Sequence, residues 1–204
     1  MALSTYVELQ AAILAAAHRT GDTVLAAQVP DFILVAEGRF NHELRTREME
    51  ASSTITLSSG NGTLPTDYLE TIKVISASSP RRRLAYATSD WLEEAYPDQP
   101  SADSSFYTIL GSTIYTYPLG TSDLDFHYYQ KIPDLATNST NWLLTRAPGV
   151  YLYGALVELD LFTADEKSAT RHAAALTTEL QRFEVSEAFN LPSVPERRAH
   201  TFSP

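Results

Sequence analysis

The residues of this sequence that could do chemistry are few, and their spacing decides what they can do. His18, His42, His127, His172 and His200 are the imidazoles, the side chains suited to ligating a metal or moving a proton near neutral pH. A helical zinc site needs two of them on one face, as in His-Glu-x-x-His, and no two stand at that spacing. Each therefore reads as a surface or structural histidine. Asp123-x-Asp125 can hold a cation in principle, but the remaining ligands of a calcium loop do not follow. The pair reads more simply as two solvated acids beside a turn. There is no Gly-x-Ser-x-Gly elbow and no phosphate loop. The absence of cysteine removes thiolate nucleophiles, thiolate metal sites and disulfides together. The expectation is no catalytic residue, no metal and no cofactor.

Two further groups are suited to contact. Arg81-Arg82-Arg83 can touch phosphates, or can form an exposed turn after Pro80 that pairs with acids of a neighbouring chain. The acidic surroundings favour the second reading. Tyr115, Tyr117, Phe126, Tyr128 and Tyr129 alternate along two strand-like runs and could stack bases. Base-stacking sheets interleave Lys and Arg, however, and only Lys131 is near. Cross-strand packing, in a core or at a subunit interface, is the better reading.

Charge narrows the partners. The chain of 204 residues carries a net charge of −10. Residues 1–50 hold four Lys/Arg against seven Asp/Glu, 51–139 five against ten, and 140–190 four against seven. Only 191–204 is positive, with Arg197 and Arg198 against Glu196. Affinity for DNA phosphates grows from clustered Lys and Arg, so tight DNA binding is not expected. Met1-Ala2-Leu3-Ser4 lacks a basic region before an apolar core, so no signal peptide is expected. A membrane span needs about 18 uninterrupted apolar residues. The densest apolar stretch, 149–161, is broken by Glu158 and Asp160, so no membrane partner is expected.

The elements that must position these residues change period twice. Thr5 with Glu8 forms a capping box ahead of Tyr6, Leu9, Ile13 and Ala17, which predicts a first helix ended by Gly21-Asp22. Pro30 is a favoured first helical residue and predicts a second helix with Phe32, Ala36, Phe40 and Leu44 as its apolar stripe. Glu37, Arg39, Asn41 and Glu43 fall on the rest of its surface. The period then becomes two. Strands are predicted at 52–57, 71–76, 83–87, 106–110, 113–117 and 124–130, with turns at Ser59-Gly60-Asn61-Gly62 and Gly111-Ser112. A short helix through Trp91, Leu92 and Ala95 follows Thr88 or Ser89 and stops at Pro97. Helical patterning returns after Asn141, with a buried helix over 150–162. Thr163 with Glu166 predicts a capping box for a last helix ending near Asn190. Pro192 and Pro195 keep 191–204 out of it, as an extended arm.

The pattern is an α+β fold. Residues 1–50 and 140–190 form an antiparallel helical bundle, 51–139 form an inserted β-rich subdomain, and 191–204 form the arm.

Several segments resemble one family, the head-to-tail adaptor (head-completion or neck connector) proteins of tailed bacteriophages. Val29-Pro30-Asp31-Phe32-Ile33, Ala36-Glu37-Gly38-Arg39-Phe40-Asn41 and Leu44-Arg45 resemble the family's second helix. Leu64-Pro65-Thr66-Asp67-Tyr68-Leu69-Glu70 is similar to its turn into the β region. Phe106-Tyr107-Thr108-Ile109, Tyr128-Tyr129-Gln130-Lys131-Ile132-Pro133, Asn141-Trp142-Leu143-Leu144 and Tyr151-Leu152-Tyr153-Gly154-Ala155-Leu156 also resemble it, in the expected order. The short Pro-containing end departs from the pattern.

The resemblance implies a structural virion protein at the neck, made in the host cytoplasm. It implies a homo-oligomeric ring, usually dodecameric, that docks beneath the portal protein and extends the DNA channel. Tail, stopper or nozzle proteins would be its other partners, and viral DNA would pass through without specific binding. Arg39, Arg45 and Arg47, with Arg81, Arg82 and Arg83, are then candidate intersubunit contacts, an intrachain role being equally open for the first three. Arg197, Arg198 and Phe202 of the arm are candidate portal contacts. The competing readings are a tail-tube or tail-completion protein, a hydrolase, which would need a convergent polar site in a pocket, and a DNA-binding accessory factor, whose binding would weaken steeply with salt.

Overall fold

The computed structural model describes residues 3–189. Its helices are α1 (Tyr6–Ala16), α2 (Thr23–Glu43), α3 (Ser89–Ala95), α4 (Trp142–Arg146), α5 (Pro148–Phe162) and α6 (Glu166–Phe189). Its strands are β1 (Glu50–Ile55), β2 (Asn61–Thr63), β3 (Tyr68–Ser76), β4 (Arg82–Arg83), β5 (Ala85–Tyr86), β6 (Phe106–Leu110), β7 (Thr113–Tyr117) and β8 (Leu124–Gln130). The fold is α+β. The chain divides into two compact units, one taking it up to Arg39 and again from Pro133, the other being Phe40–Ile132.

The first unit is helical. Thr5 Oγ1 accepts the Glu8 amide at 3.3 Å, and the Glu8 carboxylate accepts the Thr5 amide at 3.1 Å, so the expected capping box starts α1. α2 does not start at Pro30. Asp22 Oδ1 accepts the amides of Val24 and Leu25 at 3.1 and 2.9 Å, an earlier and stronger start signal, and leaves Pro30 inside the helix. α5 is buried on almost every side, through Val150, Tyr151, Gly154, Ala155, Leu156, Val157, Leu159 and Asp160. A helix apolar all round belongs in a core. Here α1, α4 and α6 pack onto it. Thr163 does not cap α6. It ends α5, its hydroxyl turned back to the Leu159 and Asp160 carbonyls, and Asp165 caps the Ser168 amide at 3.1 Å in its place.

The second unit is built on two four-stranded sheets, ordered β1-β8-β3-β4 and β2-β7-β6-β5. Among these strands the pairings are antiparallel except β5 with β6. Ile55, Val74, Leu124, Phe126 and Tyr128 of the first sheet share one apolar cluster with Tyr107 and Ile114 of the second, so the sheets pack face to face. The expected strand over 83–87 is split. Leu84 is buried, its amide bonded to the Val74 carbonyl at 2.9 Å, and the chain changes sheets there. Arg82–Arg83 thus edges the first sheet and Ala85–Tyr86 the second. Gly62 lies so close to the core that a Cβ would stand 2.3 Å from Ile55 Cγ2.

Candidate interaction surfaces

One polar network of the helical unit is buried. Glu37 of α2, Tyr151 of α5 and Asn141 ahead of α4 are all buried. Asn141 Nδ2 donates to the Tyr151 hydroxyl at 2.6 Å and to the Pro133 carbonyl at 2.8 Å. The Tyr151 hydroxyl donates to Glu37 Oε1 at 3.1 Å, which also accepts the Leu135 amide at 2.9 Å. Asn141 Oδ1 caps α4 by accepting the Leu144 amide at 2.8 Å. Burial raises the Glu37 carboxyl, partly offset by the Leu135 and Tyr151 hydrogen bonds. Burial also raises the Tyr151 phenol, helped by the Glu37 charge. What this arrangement does is fix the 133–141 segment to α2 and α5. The sequence reading put Glu37 on the outer surface of its helix. The signal against that was present: Ile33, Glu37, Phe40 and Leu44 recur at i, i+4, i+7 and i+11 on one face.

A second polar pair closes α5 on α6. His172 Nδ1 lies 2.6 Å from Asp160 Oδ2, both side chains largely buried. They line a cleft of about 230 Å³ with His18, Arg19, Ser168 and Arg171. Ser168 stands one turn before His172, but its hydroxyl accepts Arg171 Nη2 at 3.4 Å, and among the described residues it makes no bond to the imidazole.

The arginines singled out in the sequence are placed as follows. Arg39 is bonded to Glu158 of α5. Arg45 donates to Glu70 at 2.8 Å, to the Asn41 and Leu44 carbonyls at 2.9 and 2.6 Å, and lies over the Tyr129 ring. Arg47 sits exposed in a 3-10 turn, Arg47–Met49. Arg81 pairs with Asp125, so one member of the Asp123-x-Asp125 pair is engaged by a guanidinium. Arg82 and Arg83 are exposed on β4. Arg197, Arg198 and Phe202 lie outside the described residues, as does His200. Among the aromatics, Phe126 stacks on Tyr128 in the core at 5.3 Å, and Tyr117 packs on Tyr96. The Tyr128 hydroxyl donates to Asp67 at 3.0 Å, and burial with that bond pushes its pKa up to about 12.

No group of three or more His, Asp or Glu side chains able to hold a metal occurs among the described residues. None of the described helices is long and apolar enough to cross a membrane. The family model of the SU10 adaptor protein matches residues 4–198, nearly the whole chain. The chain belongs to the SU10 adaptor protein family. No curated protein matches it.

This is a phage head-to-tail adaptor family, and the role it carries is a structural one in the virion. For such an adaptor the surfaces matter more than the pockets. On the outer face of the second unit's first sheet, His127 of β8 stands between Ser52 of β1 and Lys73 of β3. Two shallow clefts of about 280 Å³ each lie there, lined by Glu50, Ser52, Lys73, Arg81, Asp125 and His127 among others. Partial burial, then the nearby Lys73 and Arg81 charges, hold the His127 imidazole below its ordinary value. The outer face of the second sheet is covered by α3, with Trp91 and Tyr96 against Phe106 at 5.1 and 6.3 Å. The arginine run is contiguous in the sequence, whereas Lys73 and His127 come beside it only through strand register.

Proposed function

We propose that this adaptor assembles into a closed ring, dodecameric as adaptor rings usually are, which docks beneath the portal, continues the DNA channel and offers the platform for tail attachment. The observation that carries the reading is the family match across residues 4–198. Charge supports it. A net charge of −10 repels phosphates, so exiting DNA would slide through the ring without being gripped. The role is structural, without catalysis. Its place is the virion neck, after synthesis in the host cytoplasm, with the portal on one side and tail, stopper or nozzle proteins on the other.

In this reading the helical segments near 5–48 and 142–190 form the ring body, and the β-rich 51–139 region is the docking platform. Sheet edges and turn tips are common material for recognition. Arg39 and Arg45 hold carboxylates of their own chain, so neighbour contacts fall first on Arg82 and Arg83, with Arg81 shared with Asp125. The positive arm, with Arg197, Arg198 and Phe202, is the proposed portal contact. The test is co-sedimentation of the purified chain with portal-bearing capsids. Portal-dependent binding is expected; binding to tail components alone would favour a tail-completion protein. Shortening the Gly60 and Gly111 turn tips should block tail attachment and leave the ring assembled.

A further inference from the structure

The second unit carries its charges on opposite faces. Its first sheet presents the Lys73 charge outward beside the His127 imidazole, with Arg81 near them and Arg82 and Arg83 on the edge strand β4. Three acids share that face: Asp125 is paired with Arg81, Glu70 is paired with Arg45, and Glu50 lies opposite Tyr129. From Leu84 to Gln130 there is no Lys or Arg at all. Within that stretch, α3 and the loop after it carry Asp90, Glu93, Glu94, Asp98 and Asp103, all exposed. α3 is held on the outer face of the second sheet by Trp91, Tyr96 and the buried Leu92. Because the two sheets face each other across one core, their outer faces point in opposite directions. With its ion pairs set aside, the first face keeps Lys73 and Arg83 against Glu50, whereas the α3 face carries acids alone.

We propose that the basic outer face of the first sheet docks onto the acidic α3 face of a second copy of this chain, so that neighbouring adaptors join head to tail through their β units. The proposal rests on the ring reading and names a surface for it. Charge complementarity selects the occupant. Copies carrying −10 each repel on approach, and a contact that sets Lys73 and Arg83 against Glu93, Glu94 and Asp98 offsets that repulsion locally. The contact joins two different surfaces, so it is heterologous, and such contacts close into rings when the rotation allows. Arginines on β4 also oppose strand-to-strand pairing at that edge, which makes the contact one of side chains. The competing occupant of a basic sheet face is a DNA backbone.

The test uses the full chain in four forms: wild type, Lys73→Glu with Arg83→Glu, Glu93→Lys with Glu94→Lys, and all four changes together. Assembly is followed by sedimentation velocity at about 0.05 and 0.5 M salt, with circular dichroism to confirm that each form is folded. Each single-face variant should lower the association constant about tenfold or more, and the combined variant should recover most of the loss. High salt should weaken the wild type. If wild type assembles and the single-face variants assemble equally well, this interface is wrong and the ring reading stands. Should the wild type stay monomeric even with portal-bearing capsids, the ring reading itself fails. A 30-base-pair duplex is added in a parallel arm. Loss of duplex binding in Lys73→Glu/Arg83→Glu, with assembly unchanged, would assign the face to DNA and overturn the proposal.

Discussion

Replacing Tyr151 by Phe removes one hydroxyl from the core of the helical unit and almost no volume. That hydroxyl accepts from Asn141 at 2.6 Å and donates to Glu37 at 3.1 Å. The neutral bond contributes about 0.5–1.5 kcal/mol and the bond to a carboxylate about 1.5–3 kcal/mol. Neither partner is left bare, because Asn141 keeps the Pro133 carbonyl and Glu37 keeps the Leu135 amide. The loss should therefore lie near the sum of the two bonds, about 2–4.5 kcal/mol, without a further penalty for orphaned groups. For a chain of this size that is a fall in Tm of roughly 5–15 °C. The assay is urea unfolding at pH 7 followed by far-UV ellipticity, which the helices dominate. Tyr153→Phe is the control, since the Tyr153 hydroxyl has no hydrogen-bond partner among the described residues while its ring packs on His172. A Tyr151→Phe variant within 0.5 kcal/mol of wild type would refute the claim that this chain of bonds fixes the 133–141 segment.

Glu37 should make stability pH-dependent. Burial raises its carboxyl, so the folded chain keeps that proton to higher pH than the unfolded chain, whose ordinary value is 4.5. The stability this proton contributes is fully present below 4.5 and is lost as pH rises through the folded value. Glu37→Gln cannot ionise, so unfolding measured at pH 5 and pH 8 should differ less for it than for wild type. Gly62→Ala should destabilise the β unit by about 1–3 kcal/mol, because its Cβ would overlap Ile55 Cγ2; hydrogen exchange of β1 and β7 amides would report it. Truncation after Asn190 should leave assembly intact and abolish attachment to portal-bearing capsids, scored by co-sedimentation; unchanged attachment would remove the arm from the portal contact.

Local signals were the legible ones. Thr5 and Glu8 announce α1 because both capping bonds close within four residues. The ends of β6, β7 and β8 follow from period-two alternation and from Gly111, whose φ of 61° suits the turn between the first two. The illegible features depend on distant chain. β1 pairs with β8 across some seventy residues, and nothing near β1 says so. Leu84 splits a run that reads as one strand, because two sheets compete for its flanks. Glu37 looks like a surface acid until Asn141 and Tyr151, a hundred residues on, supply its partners. The arginine run was visible as a motif, but its setting was not. Lys73 and His127 join it only through the register of β3 with β8. The acidic α3 face belongs to the opposite side of the same unit only once the sheets have packed.

The ring is the central claim, and electron microscopy of the purified chain, alone and with its portal, tests it most directly. The expected result is closed rings that stack coaxially on the portal and continue its channel. Particles of single subunits in both samples, or subunits bound to the portal without closing into a ring, would contradict it.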